Sequence, residues 1–319
     1  QSGQKGFYMR KILVTGGAGY LGSTLVPTLL AKKYQVTVVD NFMFGQASLN
    51  HVCYDDNLTI VNGDVRRKDV MEPLLEAVDV VIPLAAFVGA PLCARDPIGA
   101  TSVNVDAIRL MLDLKSPSQA ILMPTTNSAY GQGGEDNFCT EESPLSPISH
   151  YAIEKVRVEE MLMSHENVVS FRLATVFGMS PRMRLDLLVN DFVYRAVNDR
   201  VIVLFESHFK RNYIHVSDVA TAFTHCLDNF DAMRGQVFNV GLSSANMSKL
   251  ELSEAIKGQI PDLVIIEENH SKDPDQRNYV VSNAKLEATG WMPSVSIDKG
   301  ICELIKGFSY LKKSGHGNV

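Results

Sequence analysis

Tyr151 and Lys155 are the pair of side chains in this sequence best suited to acid–base chemistry. Their spacing, i and i+4, places both on one face of a helix. A free phenol has a pKa of about 10, too high for an efficient base near neutral pH, and a neighbouring ammonium group favours the phenolate. The pair therefore predicts a tyrosine base whose pKa the lysine lowers. The same spacing arises often by chance, so a surface or interface tyrosine is the alternative.

Three glycines with the spacing GxxGxxG lie between an apolar run at 12–14 and a helical pattern at 20–33. A glycine turn in that position lets the backbone approach a pyrophosphate, and the helix N-terminus points free N–H groups at the phosphates. An ordinary glycine-rich turn is the alternative. The interpretation as a dinucleotide site predicts contacts from Gly16, Gly19, Tyr20, Leu21 and Gly22.

Asp40 lies 18 residues beyond Gly22, at the end of a second apolar run. A carboxylate there can accept hydrogen bonds from the hydroxyls of an adenosine ribose. It would repel a 2′-phosphate, and no arginine follows at once, so the sequence favours NAD over NADP. Asn41 is predicted to contribute to the same site, although Asp40 and Asn41 could also form a simple turn.

The elements that must position these residues are short apolar strands alternating with helices. Strands are predicted at 12–14, 35–39, 58–61, 78–83, 120–123 and 168–172. Strands that are apolar throughout and separated by helices predict an α/β fold with a doubly wound parallel sheet of Rossmann type. We expect an NAD-binding domain over 9–172, with later crossings near 213–240, and a smaller mixed α/β domain over 173–319. In that second domain, helices are predicted at 182–200, 249–259 and 297–310.

The composition excludes several other classes of protein. The net charge is −6 and there is no block of lysines and arginines, so neither nucleic acid nor an anionic membrane is an expected partner. Five cysteines without a CxxC pair predict reduced thiols in the cytoplasm, and eight histidines without ligand spacing predict no metal. No apolar run reaches the ~18 residues that a membrane span needs. Residues 1–8 are interpreted as a tag remnant.

Over residues 9–310 the chain resembles the extended short-chain dehydrogenases/reductases of the NAD-dependent nucleotide-sugar epimerase/dehydratase family. The resemblance implies that Tyr151 takes a proton from a sugar hydroxyl as hydride leaves the same carbon. It implies that Lys155 also holds the nicotinamide ribose and that Thr126 orients the reacting oxygen, with Thr125 as second choice. It adds cofactor contacts at Asp64, Val65, Leu84, Ala85 and Ala86.

The segment Thr126-Asn127-Ser128 discriminates among the reactions of this family. Its 4,6-dehydratases carry Asp-Glu directly after the threonine, and its epimerase-reductases carry a cysteine where Ser128 stands. Asn127 and Ser128 cannot remove water as an acid and a base. The segment therefore favours oxidation at one sugar carbon, with or without return of the hydride.

Arginines in the second half of the chain suit a diphosphate, because a planar guanidinium group can bind it through two hydrogen bonds. With Thr126, Asn127 and Ser128, the predicted substrate contacts are Arg182, Arg184, Asn190, Arg211 and Arg277.

The same resemblance bears on two other residues. His215 is expected to be structural, and Asn104 is either near the active site or a buried amide that satisfies the backbone. The resemblance also implies a homodimer, formed through the helices that start near Asn104 and Tyr151.

Residues 171–190, together with 126–128 and 211–213, look most like the branch that contains GDP-manno-heptose 4-dehydrogenases of capsule and surface-polysaccharide pathways. That likeness implies a GDP-sugar substrate and oxidation at C4. Two alternatives stay open. A 4-epimerase would use the same residues and return the hydride, and a non-catalytic NAD-binding sensor could share the fold.

Overall fold

A seven-stranded parallel sheet forms the centre of the computed structural model, which describes residues 10–133, 138–268 and 277–311. The strand order is β3-β2-β1-β4-β5-β7-β11, and every neighbouring pair is parallel. The strands are β1 (Lys11–Thr15), β2 (Gln35–Asp40), β3 (Leu58–Asn62), β4 (Val80–Pro83), β5 (Ala120–Thr126), β7 (Val168–Leu173) and β11 (Gln236–Val240). The predicted doubly wound α/β fold is confirmed.

The order of the strands reverses between β1 and β4, because the chain first winds outward through β2 and β3 and then continues on the other side. In open parallel sheets, such a point opens a crevice at the carboxyl ends of the strands, where ligands bind. All seven residues of β5 are buried, so its last residue, Thr126, is held rigidly at that crevice.

Helices cover both faces of the sheet. Those of the first half are α1 (Gly22–Ala31), α2 (Lys68–Glu76), α3 (Ala90–Arg95), α4 (Pro97–Thr101), α5 (Ala107–Leu114) and α6 (His150–Leu162), with a π turn at Ser102–Asp106. One face carries a core that includes Leu25 and Val26 of α1, and the other carries Leu75 of α2 and Val158 of α6. The central strands are therefore apolar on both sides, as the sequence pattern indicated, whereas the edge strand β3 is partly exposed.

The second half of the chain builds small sheets and a separate apolar core. Its strands are β8 (Thr175–Phe177), β9 (Val201–Phe205), β10 (Lys210–His215), β12 (Asn246–Ser248), β13 (Val264–Glu268) and β14 (Val280–Val281), and β6 (Phe138–Cys139) pairs with β14. The helices are α7 (Leu188–Asn198), α8 (Val216–Asp228), α9 (Phe230–Met233), α10 (Lys249–Gln259), α11 (Ala284–Glu287) and α12 (Ile297–Phe308). Phe192 of α7, Ile256 of α10 and Leu304 of α12 meet in that core.

One prediction about the helices was wrong. The helix predicted at 182–200 begins only at Leu188, because the residues before it are tied by hydrogen bonds to α1 and Leu187 is extended (ψ 136°). Val105, Ile108 and Met111 form an apolar stripe after Asn104, and this stripe packs into the core of the chain's own sheet. No helix in the described part of the chain is long and apolar enough to cross a membrane.

Candidate active site

A cavity of about 660 Å³ opens at the carboxyl ends of the strands. Its wall combines the glycine turn after β1, the ends of β2, β3 and β5, the first turns of α6, and the segment that leads into α7. Predicted cofactor and substrate residues from both halves of the chain therefore line the crevice at the reversal of strand order.

The glycines of the turn are required by close packing. Gly16 has a φ of 65°, and a Cβ there would lie 2.6 Å from the backbone nitrogen of Ala85. A Cβ on Gly22 would lie 2.5 Å from the carbonyl oxygen of Gly17. A Cβ on Gly19 would be only 3.1 Å from the oxygen of Gly16. The backbone is therefore folded tightly enough to lie directly against a pyrophosphate.

Asp40 is buried at the end of β2, where its carboxylate accepts hydrogen bonds from the amides of Ala18 (3.0 Å) and Phe42 (2.9 Å). Burial raises the pKa of this carboxyl, while the two amides and the nearby charge of Arg182 oppose the rise. Asn41 is exposed, and its side chain accepts from the amide of Met43 at 3.2 Å. Of these two residues, Asp40 is the one whose side chain is buried and held in place.

The remaining predicted cofactor contacts also line the cavity. Asp64 follows β3 and is held by Arg66, with Nε at 2.9 Å from Oδ1, and this pairing holds the pKa of the carboxyl below its usual range. Ala85 donates its amide to the hydroxyl of Thr15 at 3.2 Å, which fixes the loop after β4. The residues concerned are Asp64, Val65, Leu84, Ala85 and Ala86.

Tyr151 and Lys155 lie on the first turns of α6, whose start is capped by the hydroxyl of Ser149. The Nζ of Lys155 is 5.9 Å from the centre of the Tyr151 ring and 3.5 Å from the carbonyl oxygen of Pro124. Thr126, two residues after Pro124, lines the same part of the cavity. The three residues predicted to act together are therefore neighbours across the β5–α6 edge.

The electrostatics of this pair differ from the sequence prediction. Burial raises the pKa of Tyr151 to about 12, and the cations that oppose this rise are Arg184 and Arg277 rather than Lys155. Burial also lowers the pKa of Lys155 to about 8. The prediction that the lysine lowers the tyrosine pKa considered spacing alone and did not include the cost of burying both groups.

Ser128 connects the reaction end of the cavity to a distant arginine. Thr126 donates its hydroxyl to Ser128 Oγ at 3.0 Å, and Arg277 donates to the same oxygen through Nη1. Asp275 and Gln276, which precede Arg277 in the chain, lie outside the described residues. Asn127 is buried and is not among the residues that line the cavity, so a substrate contact there is not supported by its position.

Tyr20 and Asn190 join the two halves of the chain instead of facing the cavity with free polar groups. The hydroxyl of Tyr20 donates to the carbonyl of Gly178 at 2.7 Å. The amide of Asn190 accepts from the nitrogen of Gly178 at 3.0 Å and donates to the carbonyl of Arg184 at 2.9 Å. Both residues are buried, so their main task in the structure is to fix the segment before α7 against the glycine turn.

The arginines predicted for a diphosphate converge on the cavity from three segments. Arg184 precedes α7 and pairs with Asp186, Arg211 is a buried residue of β10, and Arg277 precedes β14. Arg182 also lines the cavity, but its guanidinium carbon lies 4.8 Å from the ring centre of Phe44, in the loop after β2. Arg182 therefore lies at the end of the cavity that contains Asp40.

His215 and Asn104, for which the sequence left two roles open, both have structural roles. His215 is buried, with Nδ1 2.7 Å from the hydroxyl of Ser217 and Nε2 2.5 Å from the carboxylate of Glu303, so the structural interpretation is confirmed. Asn104 accepts from the amide of Phe87 at 2.8 Å and donates to its carbonyl at 3.1 Å. This is the buried amide that satisfies the backbone.

Sequence reasoning missed Phe44 and Glu159. Phe44 is an aromatic residue in a loop directly after Asp40, and its exposure could not be read from the chain. Glu159 continues the spacing of Tyr151 and Lys155 by one more turn, and it pairs with Arg172 at 2.6 Å behind the cavity. Within the described ranges, no group of three or more histidine, cysteine or acidic side chains could hold a metal ion.

Comparisons with known proteins place this architecture. The model of the NAD dependent epimerase/dehydratase family matches residues 12–241. The low-salt glycan biosynthesis protein Agl12 of Haloferax volcanii is 28% identical over 305 residues, which cover 91% of this chain and 96% of that protein. UDP-glucuronic acid decarboxylase 6 of Arabidopsis thaliana is 30% identical over 310 residues, with 91% and 86% covered.

The UDP-glucose 4-epimerase of Thermus thermophilus, solved with NAD, has a TM-score of 0.81 and 25% identity, with 95% of this chain and all of that chain covered. The chain therefore belongs to the NAD-dependent epimerase/dehydratase family. It is an enzyme of that family and its cofactor is NAD. The glycine turn, in which Gly16 and Gly22 leave no room for a Cβ, and the buried Asp40 are the features of this chain that fit the dinucleotide.

Proposed function

We propose that the protein oxidises a nucleotide-activated sugar at C4, with a GDP-heptose or GDP-hexose as the favoured substrate, in the biosynthesis of a capsule or other surface polysaccharide. The likeness of residues 171–190 to GDP-manno-heptose 4-dehydrogenases supports the choice of sugar and nucleotide. We further propose a cytoplasmic homodimer, for which the exposed Ile98 and Ile153 beside α6 offer an apolar surface.

The composition of the cavity wall beside Tyr151 is the observation that carries the proposal. Thr126 and Ser128 present hydroxyl groups there. Every carboxylate among the described lining residues is held by another protein group; these are Asp40, Asp64, Asp186 and Asp191. Elimination of water needs a general acid and a base in addition to the tyrosine. Without them, the wall does not support loss of water, which leaves oxidation to the ketone with or without return of the hydride.

The residues of the chain divide the work as follows. Thr126 donates to Ser128 Oγ in the structure, and with substrate bound it would turn this hydroxyl to donate to the reacting sugar oxygen. Tyr151 accepts the proton of the sugar hydroxyl as hydride leaves the same carbon. Lys155 holds the ribose nearest the reacting carbon. When bound, NAD supplies the hydride acceptor and a positive charge that favours the phenolate. Arg184 and Arg277 add to the same effect, because both already oppose the raised pKa of Tyr151.

The charge of the cavity supports a diphosphate as the recognition group. Arg184, Arg211 and Arg277 line one continuous space, and guanidinium groups bind phosphate oxygens through paired hydrogen bonds. Two of these arginines lie close enough to Tyr151 to act on its pKa, so a sugar attached to the diphosphate would extend toward the tyrosine. Tyr151, Lys155, Thr126 and these arginines remain the proposed site residues.

Proteins similar to this chain support two alternative reactions, epimerisation and decarboxylation. UDP-glucose 4-epimerases share the fold at 25–26% identity, and such an enzyme returns the hydride to the other face of the sugar. UDP-glucuronic acid decarboxylases are 27–30% identical to the chain, and a ketone at C4 makes a C6 carboxylate a β-keto acid that can lose carbon dioxide. A sensor without catalysis is the remaining alternative.

The test is to load the protein with NAD and add GDP-hexoses, GDP-heptoses and UDP-sugars that include UDP-glucuronic acid. Absorbance of reduced nicotinamide and mass spectrometry of the sugar are followed together. A lasting reduced signal with a C4 ketone supports the dehydrogenase. An inverted sugar without a lasting signal identifies an epimerase, and a pentose with carbon dioxide identifies a decarboxylase. No reaction with any sugar would favour the sensor.

A further inference from the structure

The loop after β2 forms a preorganised turn at the adenosine end of the cavity. Phe42 and Gly45 have φ angles of 50° and 60°, and the amide of Gly45 donates to the carbonyl of Phe42 at 2.9 Å. Asp40 holds the amide of Phe42 at 2.9 Å, so the turn is attached to the same carboxylate that serves the ribose. Met43 and Phe44 lie at its tip and are 52% and 39% exposed.

Arg182 reaches this tip from the other half of the chain. Its guanidinium carbon lies 4.8 Å from the centre of the Phe44 ring, a distance at which the cation is attracted by the ring face. The residue is only 5% exposed although it is charged. Asp40 and Asp186 are the acids that attract it, while burial and Arg184 lower the pKa of its guanidinium group.

The backbone around Arg182 is attached to the start of α1. The amide of Arg182 donates to Ser23 Oγ at 3.2 Å, and Ser180 donates its hydroxyl to the carbonyl of Tyr20 at 2.7 Å. The hydroxyls of Ser23 and Ser180 are 2.9 Å apart. The segment therefore cannot move away from the glycine turn without losing several buried hydrogen bonds, so it holds Arg182 firmly against Phe44.

The contact between Phe44 and Arg182 thus crosses the cavity wall where the adenosine ribose and pyrophosphate of NAD bind in this fold. We propose that Phe44 and Arg182 form a latch over this end of the cofactor, which must open before NAD can leave. Arg182 then serves retention of the cofactor, whereas the sequence had assigned it to the diphosphate of the sugar nucleotide. The latch rests on NAD binding and is independent of which sugar is oxidised.

The latch is tested by the rate at which NADH leaves the protein. Protein loaded with NADH is mixed with a large excess of NAD in a stopped-flow instrument, and the loss of bound NADH fluorescence is followed. Phe44→Ala and Arg182→Met are each expected to accelerate release about tenfold, which corresponds to one cation–ring contact in a partly dry site. Phe44→Leu, which keeps the bulk but loses the ring, is expected to give most of that effect.

Met43→Ala is the matched control, because Met43 lies at the same tip but has no aromatic ring to face the guanidinium group. It should change the release rate less than about threefold. The double variant Phe44→Ala/Arg182→Met should release NADH no faster than the faster single variant, since the two residues form one contact.

Three results would overturn the latch. The first is an NADH release rate that is unchanged in both single variants. The second is a double variant whose acceleration of release equals the product of the two single accelerations, because the residues would then act independently. An Arg182→Met protein with normal NADH release but weakened binding of GDP-sugars would assign the arginine to the substrate. The unfolding temperature of each variant is measured alongside, and Phe44→Leu decides the matter if Arg182→Met does not fold.

Discussion

The two ends of the cavity are built in different ways. The cofactor end is made of backbone, where Gly16 and Gly22 allow contacts that any Cβ would block and Asp40 is held by two amides. The reaction end is made of side chains from distant segments, with Thr126 on β5, Tyr151 on α6 and Arg277 before β14. Apart from Arg182, the first end is built from the first half of the chain and is rigid, whereas the second depends on how the whole chain folds.

This difference predicts that the two ends can be damaged separately. A substitution at the reaction end should abolish chemistry and leave NAD in place. A substitution in the glycine turn should remove NAD and, with it, all chemistry.

The largest effect is expected for Tyr151→Phe. Loss of the phenol removes the proton acceptor, and a positioned acid or base contributes about 10²–10⁴-fold to a rate. Sugar-dependent reduction of NAD should fall by that factor, while NAD affinity changes less than about threefold. Single-turnover absorbance and NADH titration measure the two quantities. A variant that stays fully active would remove Tyr151 from the mechanism.

Gly16→Ala should weaken NAD binding by more than about tenfold. The new Cβ would lie 2.6 Å from the nitrogen of Ala85 at a φ of 65°, and forced contacts of this kind cost about 1–3 kcal/mol. Gly258→Ala is the control, because nothing lies within 4 Å of a Cβ there. Calorimetric titration with NAD distinguishes them, and equal affinities in the two variants would contradict the close-packed turn.

Arg277→Met should shift the pH dependence of the reaction. The guanidinium group lowers the pKa of Tyr151, so its removal should raise that pKa. Activity that requires the phenolate rises with pH through this pKa, and the rise should therefore occur at higher pH in the variant. Arg277→Lys keeps the charge and is the control. A pH profile of kcat that does not move would show that the charge acts only on substrate binding.

The smallest effect on catalysis is expected for His215→Gln. His215, the last residue of β10, bridges Ser217 and Glu303 and is not among the residues that line the cavity. The variant should lose about 1–3 kcal/mol of unfolding free energy, as expected for a buried hydrogen-bonded group, and keep kcat within about twofold. Chemical unfolding and steady-state assays test this. A large loss of kcat in a fully folded variant would make His215 part of the reaction.

The same contrast explains what could be predicted from the sequence. The strands, the glycine turn and Asp40 follow from local apolar runs and short spacings, and the structure has them at the predicted places. The position of Arg182 against Phe44 could not be predicted, because 138 residues separate the two in the chain. The hydrogen bonds that Tyr20 and Asn190 make to Gly178 could not be predicted either, because they form only when distant segments of the chain pack together.

The electrostatics were the least predictable part. Spacing showed that Lys155 lies beside Tyr151, but burial of both groups decides their pKa values. Burial of a polar group depends on every segment around it, and here these include Arg184 and Arg277 from distant parts of the chain.

The most direct test of oxidation at C4 is the fate of the hydrogen on that carbon. GDP-heptose or GDP-hexose carrying deuterium at C4 is mixed with the NAD-loaded protein, and both products are analysed by mass spectrometry after a single turnover. The account predicts one deuterium on the nicotinamide and a ketone at C4 without label. Deuterium that stays on the sugar, or that appears in the solvent, would contradict it.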